Sequence, residues 1–299
     1  MTEPVVIEPR AKLNLGLEVL GRRGDGYHEI ATVFQELDLA DRLSIEPAGG
    51  FSLEVAGNAI SAGPENLVWR AGDLLARSCG VALGARLRLD KRIPVQAGLG
   101  GGSSDAAAAL AGLNRLWSTG LSVPDLMELG ARLGSDVPFF LVGGTAMGLG
   151  RGDEICPLPD LPPLWVALVT PPRGLSTAAV YRGAQASLTG FGKSNIMKRF
   201  SRFYLCGEGL EELVRNDLQP AAAALHPAVE AHCRSLREAG ALGAALSGSG
   251  SAVYGLFREQ ASARAALERV GGGAAGTLCR FRARVMPPLP VGPSAAPGE

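Results

Sequence analysis

The amino-acid sequence predicts a two-domain α+β fold, and three observations carry the prediction. Near the N-terminus Leu13, Leu15, Leu17 and Val19 alternate with Asn14, Gly16 and Glu18, the period of a strand with one buried face. Elsewhere apolar residues recur at helical spacing, as at Leu67, Ala71, Leu74 and Leu75. Strand and helix patterns are mixed along the chain, and a proline-dense segment at 156–163 separates them into two groups. The expected domains are 1–160 and 161–285, followed by a disordered tail at 286–299 rich in Pro, Gly and Ala.

In the first group, the opening strand puts Lys12, Asn14 and Gly16 on the face opposite its leucines. Gly24-Asp25-Gly26 signals a turn into a second strand over 30–39. Short strands are expected at 43–46, 51–55 and 85–89, and a helix at 66–79. An alanine-rich helix over 106–116 follows a glycine run, with Ser103, Ser104 and Asp105 as N-cap and first-turn residues. A helix over 124–133 begins near Pro124, and the segment 134–138 breaks it and starts a short one. The second group reads as a buried strand at 164–169, helices at 176–186, 207–214, 228–238 and 260–270, and strands at 252–257 and 277–285.

Composition narrows the function classes. Lys plus Arg and Asp plus Glu number 29 each, so nothing electrostatic argues for nucleic acid or an anionic membrane as partner. A hydrophobic share of 46% with 19% charged residues excludes a disordered chain. The five cysteines are odd in number and show no C-x-x-C spacing, against a disulfide framework or a zinc site. There is no signal-like apolar core at the N-terminus and no run of roughly 20 apolar residues, so a cytoplasmic protein is expected.

The most informative segment is Pro94-Val95-Gln96-Ala97-Gly98-Leu99-Gly100-Gly101-Gly102-Ser103-Ser104-Asp105. Glycine backbone bends tightly and brings N–H groups close to a ligand, and a helix start adds free N–H groups and a positive dipole end. The pair makes an anion site suited to a di- or triphosphate, the bland alternative being a flexible turn before a helix. The dinucleotide pattern G-x-G-x-x-G fails because its third glycine falls on Ser103, which leaves a Rossmann oxidoreductase without support. The Walker pattern fails because no lysine follows the loop, and a partial match at 190–194 lacks its first glycine at Ser187.

This segment resembles the ATP loop of the GHMP kinases, the family of galactokinase and of homoserine, mevalonate and phosphomevalonate kinases. Pro9-Arg10-Ala11-Lys12-Leu13-Asn14-Leu15 is similar to their first motif, and Leu246-Ser247-Gly248-Ser249-Gly250-Ser251-Ala252 to their C-terminal glycine motif. The three occur in the family's order and span the chain to about residue 285. Arg23-Gly24-Asp25-Gly26-Tyr27-His28 and Leu133-Gly134-Ser135-Asp136-Val137-Pro138-Phe139-Phe140 resemble one branch most closely. That branch phosphorylates a hydroxyl of a small cytidine diphosphate derivative. The resemblance implies a ribosomal protein S5 domain 2-like N-terminal domain, a ferredoxin-like C-terminal domain, and ATP with Mg²⁺. A monomer or weak homodimer is expected.

Carried over from the family, Asp136 takes the proton of the acceptor hydroxyl and Lys12 is its cationic partner. The bland readings are a helix N-cap for Asp136 and a solvated strand face for Lys12. Asn14 belongs to the substrate site beside Lys12. Tyr27 and His28 hold the cytosine by stacking and polar contact, or pack a hairpin end. Tyr181 offers a second aromatic wall, or is a core residue of its helix. Ser103, Ser104 and the backbone of the glycine run hold the ATP phosphates, and no side chain is assigned to Mg²⁺. Gly248, Ser249, Gly250 and Ser251 close the site from the second domain or form a turn. The basic stretch 193–202 is a solvated loop or a lid. A mevalonate- or homoserine-type kinase, and a non-catalytic nucleotide-binding protein of the same fold, are the alternatives.

Overall fold

The computed structural model describes residues 4–57, 60–82, 84–184, 194–270 and 273–284. Three sheets organise them. The first holds β1 (Val5–Ile7), β4 (Arg42–Glu46), β6 (Ala85–Asp90) and β5 (Phe51–Ala56), in that spatial order. Its two parallel neighbours, β5 and β6, are joined through α1 (Leu67–Cys79). The second runs β10 (Arg215–Asn216), β2 (Arg10–Arg22), β3 (His28–Ala40), β7 (Thr145–Leu149) and β8 (Glu154–Pro157). The third orders β11 (Gly243–Leu246), β12 (Val253–Phe257), β9 (Trp165–Thr170) and β13 (Ala275–Arg280), every neighbour antiparallel, the ferredoxin-like arrangement.

Helices fill the spaces between sheets. α1 and α2 (Gly101–Leu116) pack on each other and close the first sheet with Val68, Leu75, Leu110 and Leu113. α3 (Val123–Leu133) is capped by Ser122, which forms a reciprocal box with Asp125. α4 (Val137–Val142) follows at once, started by Pro138. In the second half α5 (Thr177–Ala184), α8 (Gln219–Leu225), α9 (Ala228–Glu238) and α10 (Gln260–Glu268) cover the ferredoxin-like sheet through Val180, Ala222, Val229, Leu236 and Ala263.

Several expectations change. β2 is covered on both faces rather than one, and Lys12, Asn14 and Glu18 are all buried. Part of the second cover comes from α6 (Ile196–Cys206), whose Ile196 packs against Gly16, while β10 extends the sheet beside β2, both elements being distant in sequence. α6 itself corrects the reading of 193–202 as a loop or lid, its described part being an amphipathic helix seated by Ile196, Phe200 and Phe203. Arg199 pairs with buried Glu18 at 2.5 Å. Of the helix expected at 207–214 only α7 (Leu210–Leu213) forms, because Gly207 and Gly209 take left-handed φ values of 70° and 78°. α2 starts at Gly101, five residues before the expected start, so its N-cap is Gly100 and Asp105 lies inside the helix. The strand expected at 277–285 spans β13 instead, and the 286–299 tail and most of the 190–194 motif lie outside the described residues. Among the described residues no helix is long and apolar enough to cross a membrane.

Candidate active site

Three sequence-distant segments meet at one end of β2. The backbone N–H of Lys12 donates to Leu99 O at 3.0 Å, tying the strand to the glycine loop. Ala97 and Leu99 are buried and anchor that loop, while Val95 beside Pro94 is 43% exposed. Ala252 N donates to Ala97 O at 3.0 Å and Ser247 Oγ to Gly98 O at 2.9 Å, so the second glycine motif interlocks with the first. The contact leaves no room for side chains. A Cβ on Gly98, where φ is 77°, would stand 2.1 Å from Ser247 O. Gly100, at φ 69°, would collide with Phe140 and with the Lys12 stem. Asn216 fixes the second loop from behind, its Nδ2 donating to Leu246 O at 2.9 Å and to Gly248 O at 2.7 Å.

Gly100 caps α2 without a side-chain hydrogen bond. The first-turn N–H groups at Gly101, Gly102 and Ser103 therefore project from the helix with its positive dipole end behind them. Ser103 faces the α3–α4 turn, with Oγ 3.8 Å from where a Cβ on Gly134 would lie. Ser104 is buried, and its N–H closes the first helical bond to Gly100 O at 2.9 Å. This cradle fits a polyphosphate. Among the described residues no group of three or more carboxylate, histidine or cysteine side chains could hold a metal.

Lys12 and Asp136 come together: Nζ lies 3.3 Å from Asp136 Oδ2. Lys12 Nζ also donates to Asn14 Oδ1 at 2.6 Å and sits 5.4 Å from the centre of the Phe34 ring. Asn14 is held in turn, Nδ2 donating to Thr32 Oγ1 at 2.8 Å while that hydroxyl donates to Gly16 O at 2.7 Å. Asp136 occupies the N-cap position of α4 yet makes no side-chain cap bond. Its carboxylate is directed at Lys12 and remains about one-third exposed, at 32%.

The same cleft, of about 1000 Å³, extends from Lys12, Asp136, Gly98 and Gly100 to Tyr27, His28 and Tyr181. His28 and Tyr181 pack against each other with ring centres 4.8 Å apart and planes tilted by 31°. Burial lowers the His28 imidazole below its ordinary value, with Arg22 adding to the effect. Burial raises the Tyr181 phenol, helped by the charge of Asp136, so it stays protonated. Tyr27 is 54% exposed and carries the Arg151 guanidinium 5.0 Å from its ring centre. Thus Lys12, Asn14, Tyr27, His28, Asp136 and Tyr181 line one cavity together with Gln96, Gly98 and Gly100. Sequence reasoning missed Thr32, Phe34, Arg151 and Asn216. Thr32 and Phe34 could have been found by pairing β3 against β2, since Asn14 stands opposite Phe34.

Comparison with known proteins agrees with this geometry. Residues 66–144 match the GHMP kinases N terminal domain and residues 197–274 the GHMP kinases C terminal domain. A 4-diphosphocytidyl-2-C-methyl-D-erythritol kinase of Pelotomaculum thermopropionicum is 49% identical over 85% of this chain and 90% of its own length. A crystal structure of 4-(cytidine 5'-diphospho)-2C-methyl-D-erythritol kinase superposes with TM-score 0.77 at 38% identity, covering 92% of this chain and 99% of that one. The homoserine kinase of Cytophaga hutchinsonii shares the fold at TM-score 0.72 but only 17% identity, over 95% and 96% of the two chains. This chain therefore belongs to the GHMP kinase family, in the branch of the 4-diphosphocytidyl-2-C-methyl-D-erythritol kinases.

Proposed function

We propose that this kinase transfers the γ-phosphoryl group of ATP to the 2-hydroxyl of 4-diphosphocytidyl-2-C-methyl-D-erythritol. The products are the 2-phosphate and ADP, in the methylerythritol phosphate route to isoprenoid precursors. The observation that carries the reading is the single cleft with a Lys12–Asp136 pair beside the glycine cradle at one end and the tilted His28–Tyr181 ring pair at the other. The cradle holds the triphosphate, the aromatic end holds the cytosine, and the alcohol lies between them beside the ion pair.

Asp136, not engaged in capping, accepts the hydroxyl proton as the oxygen attacks the γ-phosphorus and the bond to the β–γ bridging oxygen breaks. Lys12 holds the carboxylate in place and offsets negative charge gathering on the transferred group. Mg²⁺ bound to ATP would neutralise phosphate charge, carried by the nucleotide rather than by a carboxylate cage. Tyr27 supplies an exposed ring face for the base, and neutral His28 presents a ring nitrogen to its polar edge. The cytoplasm, where ATP is available, is the compartment this reading requires.

A coupled ADP-release assay with the cytidyl substrate, mevalonate and homoserine tests the proposal. Turnover is expected with the first alone, and turnover with either of the others instead would reassign the substrate. Asp136→Asn is expected to lower kcat by about 10²–10⁴-fold while the ATP Kd stays within a few-fold. Near-normal turnover in that variant would remove Asp136 from its role.

A further inference from the structure

Beneath the glycine loop lies a buried charged cluster that phosphoryl transfer does not use. Asp105 sits in the second turn of α2, Lys91 in the connection from β6 to the loop, and Asp41 at the corner between β3 and β4. All three are buried, with Asp105 only 2% exposed. Lys91 Nζ donates to Asp105 Oδ2 at 2.7 Å and also to Asp41 Oδ2. Asp41 Oδ1 accepts the backbone N–H groups of Arg92 and Ile93, at 2.8 Å from the latter. Asp105 Oδ1 is buried with no hydrogen-bond partner among the described residues. The cluster touches the phosphate cradle directly, because a Cβ on Gly101 would lie 3.3 Å from Lys91 Nζ.

Two carboxylates share one ammonium away from water, so the fully ionised cluster would carry an uncompensated negative charge. Such a charge costs several kcal/mol and is normally removed by protonation. Burial, and then the charge of Asp41, push the Asp105 carboxyl up to about 7 against the opposing pull of Lys91. The helices packed on α2, namely α1, α3 and α4, present apolar side chains to it, among them Val68, Ala71, Leu75, Leu126 and Val137. Lys91 and Asp41 are therefore the charged groups that face Asp105 among the described residues.

We propose that Asp41, Lys91 and Asp105 form a positioning unit for the phosphate-binding loop, with Asp105 held as the neutral acid, so that its ionisation loosens the grip on ATP. Removing the proton leaves two charged carboxylates facing one ammonium, with Oδ1 unpartnered, and shifts the Lys91 amine that abuts Gly101 at the α2 start. The ATP part of this inference rests on the glycine loop being the triphosphate site; the protonation of Asp105 does not.

Asp105→Asn reproduces the shape of the neutral acid and cannot ionise. With the full-length protein, the ATP Kd of this variant at neutral pH is expected within about threefold of wild type. Wild-type Kd is expected to rise about fivefold or more between about pH 6 and pH 8.5, with kcat little changed, while the variant stays flat. Melting temperatures give a readout independent of activity. A folded-state pKa raised above the unfolded value stabilises fully below the ordinary carboxylate range and loses that stabilisation as pH rises through about 7. Wild type is thus expected to lose melting temperature relative to Asp105→Asn from about pH 5 to pH 8. A gap that does not change with pH, or a tenfold loss of ATP affinity in Asp105→Asn at neutral pH, would overturn the proposal. Should the variant not fold, infrared spectra of wild type decide. A buried carboxylic-acid carbonyl band that fades as pH rises through about 7 supports the neutral acid, and no such band near pH 6 refutes it. Wild type that binds no ATP would sink the triphosphate reading instead, leaving the melting and infrared tests to judge Asp105.

Discussion

Lys12 is an ammonium with almost no water. At 3% exposure it depends on Asn14 Oδ1, Asp136 Oδ2 and the Phe34 face for compensation. Lys12→Met keeps the stem volume and deletes the charge, so the fold is expected to persist while kcat falls about 10²–10³-fold. Circular dichroism and a kcat measurement check it together, and kcat near wild type in folded protein would take Lys12 out of the chemistry. Tyr27 stands at the opposite extreme, exposed and holding Arg151 on its ring. Tyr27→Ala is expected to raise the KM of the cytidyl substrate about tenfold and leave the ATP KM little changed. Equal rises would argue against base stacking. Most residues legible from sequence stood in contiguous motifs, Lys12 with Asn14, Tyr27 with His28, and Asp136, with Tyr181 the isolated addition. Thr32, which orients Asn14, and Asn216, which holds the second glycine loop, stand alone in their segments and act through partners 18 and 32 residues away. Thr32 is recognisable once β3 is paired against β2, whereas Asn216 is separated from other asparagines only by the fold.

The glycine loops are keyed together, each filling the space the other leaves. Gly98→Ala would force a Cβ to 2.1 Å from Ser247 O at a φ of 77°, so the two loops must separate. A loss of about 1–3 kcal/mol from the backbone alone is expected. ATP affinity should fall with it. Gly102→Ala is the control, because its Cβ would meet only Leu67 at an ordinary 3.5 Å. Thermal melts of the two variants should differ by several degrees, and equal melting temperatures would mean that the loops are not tightly keyed. The mixed α+β character, most strands and the longer helices other than α6 were legible at this scale. The start of α2 was not, since three glycines argue against a helix by propensity while the Gly100 turn and Leu99 anchor impose one. β11, made of Gly-Ala-Ala-Leu, lacks β-branched residues and is a strand through its pairing with β12.

At the scale of the whole molecule the cleft needs both halves of the chain held in register, and the core provides it. One apolar cluster joins Leu13, Leu15, Val33 and Leu37 of the second sheet to Leu168, Leu256 and Phe281 of the second half. Tyr254 is fully buried in the same cluster, and its hydroxyl donates to Asn14 O at 3.0 Å, next to the lysine site. β10 adds a parallel strand to β2, and the Arg284 guanidinium donates to Thr145 O at 2.7 Å, stitching the end of the described chain onto β7. A boundary near residue 160 thus divides the sequence without dividing the core. Cutting the chain there would expose the buried face of β2 and leave the carbonyls that Tyr254 satisfies without a donor. Unfolding is therefore expected as a single transition, with calorimetric and van't Hoff enthalpies in agreement. Tyr254→Phe should lower the melting temperature through a loss of about 1–2 kcal/mol and weaken substrate binding by shifting β2, while keeping that single transition. Two resolved transitions in wild type would mean that the halves fold as separate units and that the site is assembled by docking rather than built into one core.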